Sequence, residues 1–161
     1  MRLSIAILAL VTLQRLGELV LAHRNTQRLR SRGAVETGAA HYPAVVLLHV
    51  AWLGGLWLLA WSRPANVALL AVFIVLQFAR VWVIATLGER WTTRIITLPG
   101  VPLVTSGPYR FSPHPNYVVV AAEIAVLPLV FGLVAYAAVF SVLNALVLRV
   151  RIRSETRALA R

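Results

Sequence analysis

Residues 65–87 read ANVALLAVFIVLQFARVWVIATL, a run with a single charge, Arg80. Wound as a helix it is apolar on every side, so it has no stripe that water could wet. At ~1.5 Å per residue it is long enough to cross the ~30 Å hydrocarbon core of a bilayer. Working outward, residues 43–61 and 3–22 repeat the pattern on the amino-terminal side. Residues 117–131 and 133–148 are shorter apolar runs on the other side, each marginal as a lone span. Gly132 separates them and Pro128 lies just before, which predicts a tight helical hairpin. The expected fold is all-α: a polytopic membrane helix bundle of about five transmembrane helices with a carboxyl-terminal hairpin. One unit is expected, with three spans in residues 1–87, and a loop, the hairpin and a tail in residues 88–161. A hydrophobic share of 60% against 13% charged residues in 161 positions fits a protein dissolved in lipid. The first run contains Gln14, Arg15 and Glu18 and is followed by no small-x-small cleavage site, so it reads as a retained helix and not a leader.

All sixteen cations are arginine, all five anions are glutamate, and the formal net charge is +11. Between apolar runs such arginines are topology signals facing anionic headgroups, so no nucleic-acid partner is expected. Arg24, Arg28, Arg30 and Arg32 follow the first run, Arg90, Arg94 and Arg110 follow the third, and Arg149, Arg151, Arg153, Arg157 and Arg161 form the tail. Five crossings put all of these on one side and leave only Arg2 and Arg63 on the other. The positive-inside rule then sets the amino terminus outside and the tail in the cytoplasm. Of Trp52, Trp57, Trp61, Trp82 and Trp91, several fall near span ends, where indole rings favour the interface.

Without cysteine, disulfides, thiolate metal sites and cysteine nucleophiles are excluded. His23, His41, His49 and His114 match no metal-ligand spacing, and no metal is expected. His23 and His41 flank the first basic loop and read as interfacial, while His49 reads as a packing residue. Arg15, Glu18, Arg80 and Glu123 lie within spans, where charges pair or face a cavity. Arg15 and Glu18 share a helix face, and Arg80 is positioned to pair with Glu18 or Glu123, so a structural ion pair is expected.

Residues 88–116 contain seven glycines and prolines after Gly88 itself, from Pro99 to Pro115, so no continuous helix runs through them. Their apolar content argues for a folded loop over the mouth of the bundle. His114, held stiff between Pro113 and Pro115, is the histidine best suited to touch a ligand. In the tail, Arg151 and Glu155 are four apart and can face the mouth together, while Arg149, Arg153 and Arg157 point elsewhere, toward headgroups. An acid in a basic run needs a particular partner, either a ligand or a neighbouring arginine.

LVTSGPY at 103–109, HPNY at 114–117, a hydrophobic hairpin, and RIRSE at 151–155 together resemble the isoprenylcysteine carboxyl methyltransferase family. QRLGEL at 14–19 and HYP at 41–43 resemble a bacterial branch of it, associated with type III polyketide synthases, whose members O-methylate long-chain alkylpyrones. The resemblance implies an S-adenosylmethionine-dependent O-methyltransferase acting in the membrane on a lipid-like small molecule, with a cytoplasmic cofactor pocket and a polyketide synthase as a functional neighbour. It implies cofactor contacts from Val101, Leu103, Val104, Tyr109, His114, Pro115, Asn116, Tyr117 and Glu155, with Arg94 as a further neighbour, and places Arg151 at the substrate. The family commonly has arginine where this chain has Pro113, and a second glutamate where it has Thr156.

Methyl transfer from a sulfonium needs the nucleophile held ~3 Å from the methyl carbon with water excluded. A 4-hydroxy-2-pyrone or a carboxyl group is already ionised at neutral pH, so no dedicated base is required. Arg151 would pair with that anion, and the spans would hold the tail. Alternatives are a carboxyl methyltransferase of isoprenylated cysteine, a phospholipid N-methyltransferase, and a small non-catalytic membrane protein.

Overall fold

A computed structural model of the chain describes residues 2–159. It contains five helices: α1 (Arg2–Ser31), α2 (Tyr42–Ala60), α3 (Val67–Leu87), α4 (Pro115–Val130) and α5 (Val134–Leu159). Four of them, α1, α2, α3 and α5, are long and apolar enough to cross a membrane, and α4 is a shorter apolar helix. The protein is thus an integral membrane helix bundle. Large side chains such as Leu58 and Phe78 are 79% and 72% exposed, which in water would be untenable and in lipid is ordinary. The interior holds Leu8, Trp52, Leu56, Ile124 and Leu127, contributed by α1, α2 and α4.

Two helices run past their expected limits. α1 continues through the basic stretch to Ser31, and α5 carries on through the arginine-rich tail. Charge ends a membrane span but not a helix, since arginine is a good helix former. At 26 residues α5 is no marginal span. One feature was not expected: β1 (Val35–Thr37) and β2 (Ile95–Thr97) pair antiparallel, with Glu36 opposite Ile96. This ribbon ties the α1–α2 connection to the long loop between α3 and α4.

The hairpin forms as expected, for reasons visible in its hydrogen bonds. Gly132, at φ 71°, lets the chain reverse while Gly132 N donates to Leu129 O and Leu133 N to Pro128 O. Pro128 has no N–H to give the carbonyl of Ile124 four residues back, and the indole of Trp52 donates to that oxygen instead, at 3.2 Å. Trp52 is therefore a core residue and not an interfacial one. Trp91 is also buried, whereas Trp61 and Trp82 are about half exposed. At the same end Asn66 caps α3 through its side chain, and its backbone N–H donates to Val130 O at 2.7 Å.

In mid-bundle the four intramembrane charges form one neutral network. Arg80 donates to Glu18 at 2.5 and 2.6 Å and to Glu123 at 2.8 Å. Arg15 bridges the same two glutamates at 2.9 and 2.8 Å. Gln14 and Gln77 supply one further donor to each carboxylate. Both expected pairings of Arg80 are made at once, joining α1, α3 and α4.

Candidate functional site

At the arginine-rich end the β1–β2 ribbon, the long loop and the last turns of α5 enclose a cavity of about 890 Å³, within the range of small-molecule sites. Val101, Leu103, Val104 and Tyr109 line it, with Glu155 and Arg157 from α5. A smaller cavity of about 90 Å³ lies deeper and shares Arg90, Tyr109, Pro113 and Glu155 with the first. Its wall includes Arg94, His114, Asn116, Tyr117 and Arg151. Of the residues expected to touch cofactor or substrate, only Pro115 lines neither cavity. It is buried as the first residue of α4, where a missing N–H costs nothing. Arg149 and Arg153 are exposed, but Arg157 faces the larger cavity and not only the membrane surface. Arg161 lies outside the described residues.

The loop reaches this position through a few tight contacts. Gly107 has φ +57° and sits so close to α3 that a Cβ there would meet Thr86 Oγ1 at 2.6 Å. Asn25 of α1 donates to the carbonyls of Gly88 and Trp91, at 3.1 and 2.8 Å, and pins the start of the loop. Glu36 accepts from Arg30 and, at 2.6 Å, from Arg94, whose guanidinium lies 4.2 Å above the ring of Tyr42. Burial works against ionisation of Glu36, but the bonds from Arg94 and Arg30 outweigh it and hold its carboxyl below the ordinary value.

Arg151 is 6% exposed. It donates from Nε to Tyr117 Oη at 2.9 Å and from Nη2 to Thr93 O at 2.7 Å. No carboxylate pairs with it among the described residues, and its remaining nitrogen, Nη1, has no protein acceptor there. One turn further on, Glu155 Oε2 lies 3.3 Å from His114 Nδ1, but off hydrogen-bonding geometry. His114 stacks on Tyr117 with ring centroids 5.5 Å apart. Burial, then the charge of Glu155, pushes the Tyr109 hydroxyl up to about 12, so it stays a neutral donor.

Among the described residues five buried side-chain polar atoms lack a hydrogen-bond partner. Three of them, Trp91 Nε1, Asn116 Oδ1 and Glu155 Oε2, belong to residues of the inner cavity wall. Unmet polar atoms on residues grouped at one cavity lack a partner that the described residues supply. Two acceptors, one of them a carboxylate, together with an indole donor, suit a cationic amino acid carrying polar substituents, and the apolar stretch at residues 98–104 suits a flat heterocycle. An S-adenosylmethionine-like molecule meets that description.

Several contributors were not found from sequence. Thr93 acts through its backbone carbonyl, which no side-chain pattern announces. Trp91 read as an interfacial residue. Arg90 had signalled only charge, yet it lines both cavities and donates to Pro102 O at 2.7 Å. His23 bonds Gln27 at an exposed site, and His49 Nδ1 donates to Val45 O at 2.8 Å, as a packing residue does.

Compared with known proteins, residues 68–161 match the model of the isoprenylcysteine carboxyl methyltransferase (ICMT) family. The chain is 37% identical over 158 residues to the uncharacterized protein YpbQ of Bacillus subtilis (strain 168), covering 95% of this chain and 94% of that one. No solved structure matches.

Proposed function

Because the chain belongs to the isoprenylcysteine carboxyl methyltransferase family, and is on that ground a membrane methyltransferase, we propose that it methylates an ionised oxygen on a lipid-like acceptor, with S-adenosylmethionine as donor. The preferred acceptor is a long-chain alkylpyrone or related polyketide, so that a polyketide synthase is its functional neighbour. The amino terminus lies outside and the carboxyl-terminal end of α5 in the cytoplasm, in keeping with the arginine distribution.

One observation carries this reading: a buried Arg151 without a carboxylate partner borders the cavity where three polar side-chain atoms are unmet. Glu155 and Asn116 would hold the cofactor's ammonium group, and residues 101–104 with Tyr109 its adenosyl part. The cofactor supplies an electrophilic methyl group on a sulfonium, ready for an oxygen nucleophile. Tyr117 and the Thr93 carbonyl fix the Arg151 guanidinium and leave Nη1 for the acceptor anion. The acceptor arrives ionised, so the site needs no general base.

The family match favours a second acceptor, the carboxylate of an isoprenylated cysteine, which offers the same two features of an anionic oxygen and a long hydrocarbon. The test uses purified protein in detergent. S-adenosylhomocysteine should bind by calorimetry, and labelled methyl should pass to a 4-hydroxy-6-alkyl-2-pyrone in preference to an S-farnesyl cysteine. The opposite preference selects the second acceptor, and absence of binding rejects the cofactor.

A further inference from the structure

Arg90 ends the short turn Gly88–Arg90 that follows α3. Its backbone is held on both sides, because Asn25 donates to the carbonyls of Gly88 and Trp91. Its guanidinium donates from Nη1 to the carbonyl of Pro102 at 2.7 Å. The acid next to it, Glu89, is taken by Arg28 and Arg32, and no carboxylate pairs with Arg90 among the described residues.

Arg90 lines both cavities, and so does Glu155. A cation and an anion thus border the junction between the two. They do not pair with each other: the charged neighbour of Glu155 is His114, at 3.3 Å, and its buried Oε2 has no hydrogen-bond partner. Opposite charges that border one junction without meeting suit a zwitterion, whose own two charges can pair with them. The proposed cofactor carries such a group, with an ammonium and a carboxylate on one carbon. Once the ammonium lies at Glu155 and Asn116, the carboxylate must lie at the same junction and needs a cation. Arg94 is neutralised by Glu36 at 2.6 Å. Arg151 is fixed by Tyr117 and the Thr93 carbonyl for the acceptor. Arg157 lines the larger cavity but not the inner one. Arg90 remains.

We infer that Arg90 binds the carboxylate at the amino-acid end of the cofactor, and that Arg90 and Glu155 together select a zwitterion. This rests on the proposed function. A planar guanidinium suits the task, because its N–H groups match the two oxygens of a carboxylate. The bond to Pro102 sets the same side chain against residues 101–104, where the adenosyl part is proposed to lie. One arginine then serves both ends of the cofactor. Arg90 is exposed, so water competes for its charge and the gain in affinity is moderate.

The test measures, by calorimetry in detergent, the binding of S-adenosylhomocysteine and of its decarboxylated analogue, which lacks only the carboxylate. Wild type should prefer S-adenosylhomocysteine by about tenfold, the scale of one hydrogen bond between charged groups. In Arg90→Gln, S-adenosylhomocysteine should weaken by about tenfold while the analogue changes by less than about twofold, so that the preference disappears. Arg90→Lys, which keeps the charge, should recover part of it. Equal weakening of both ligands in Arg90→Gln would assign the residue to bracing the loop through Pro102 and overturn the inference. A wild type without the preference, or an Arg90→Gln variant that retains it, overturns the inference as well. Each of these leaves the proposed function standing, whereas a wild type that binds neither ligand overturns both.

Discussion

Arg151 and Glu155 sit one turn apart on α5, and the roles proposed for them separate cleanly in experiment. Arg151→Ala removes the group that would orient the acceptor anion. Turnover should fall about 10²-fold, the scale of a misplaced reactant, while S-adenosylhomocysteine affinity measured by calorimetry stays nearly constant. Unchanged turnover would remove Arg151 from the chemistry. Glu155→Ala should do the reverse, weakening S-adenosylhomocysteine by roughly 10- to 100-fold, since a hydrogen bond to a charged group contributes about 1.5–3 kcal/mol. At this scale the sequence was informative for side chains that fall inside the quoted motifs. Arg151, Glu155, His114 and Tyr117 could be named from spacing and family likeness. The carbonyl of Thr93 and the unmet indole N–H of Trp91 could not, because they depend on what the fold leaves unpaired.

Among the elements, the β1–β2 ribbon joins the amino-terminal half to the cavity wall, and Glu36 is its electrostatic pin. Its folded carboxyl titrates below the ordinary value. The unfolded chain therefore binds the proton first, and the pin's contribution is complete above about pH 4.5 and disappears as pH falls through the depressed folded value. As the partners are partly exposed, the contribution is no more than about 1 kcal/mol. Thermal unfolding in detergent should show wild type losing this increment as pH falls below about 4.5, whereas Glu36→Gln should lack it throughout. Equal pH slopes for the two proteins would contradict the assignment. The ribbon itself was not legible in the sequence. Three-residue strands carry no measurable alternation, and their pairing joins segments some sixty residues apart. The helices were legible because apolar runs set membrane spans, but their ends were not, as the arginines that halt a span continue α1 and α5 as helix.

For the molecule as a whole, the decisive internal feature is the neutral network of Arg15, Glu18, Arg80 and Glu123. Glu123 is almost wholly buried, so Glu123→Gln leaves two cations facing one carboxylate, and should destabilise the bundle by about 3–5 kcal/mol. Replacing all four by apolar residues of similar size should be close to neutral for stability. A fourfold variant that keeps its melting temperature and its methyl transfer would mark the network as structural. Loss of transfer with stability retained would assign it a part in the reaction.

The brevity of α4 has a further consequence. Its 16 residues span about 24 Å, less than the roughly 30 Å of hydrocarbon, so the turn at His114 and the inner cavity above it lie near headgroup depth. An acceptor dissolved in one leaflet could then bring its oxygen to Arg151 without leaving that leaflet. Encounters would take place in two dimensions, and the rate would follow the acceptor's mole fraction among the lipids. Adding inert phospholipid at a fixed total amount of acceptor would slow the reaction by surface dilution alone.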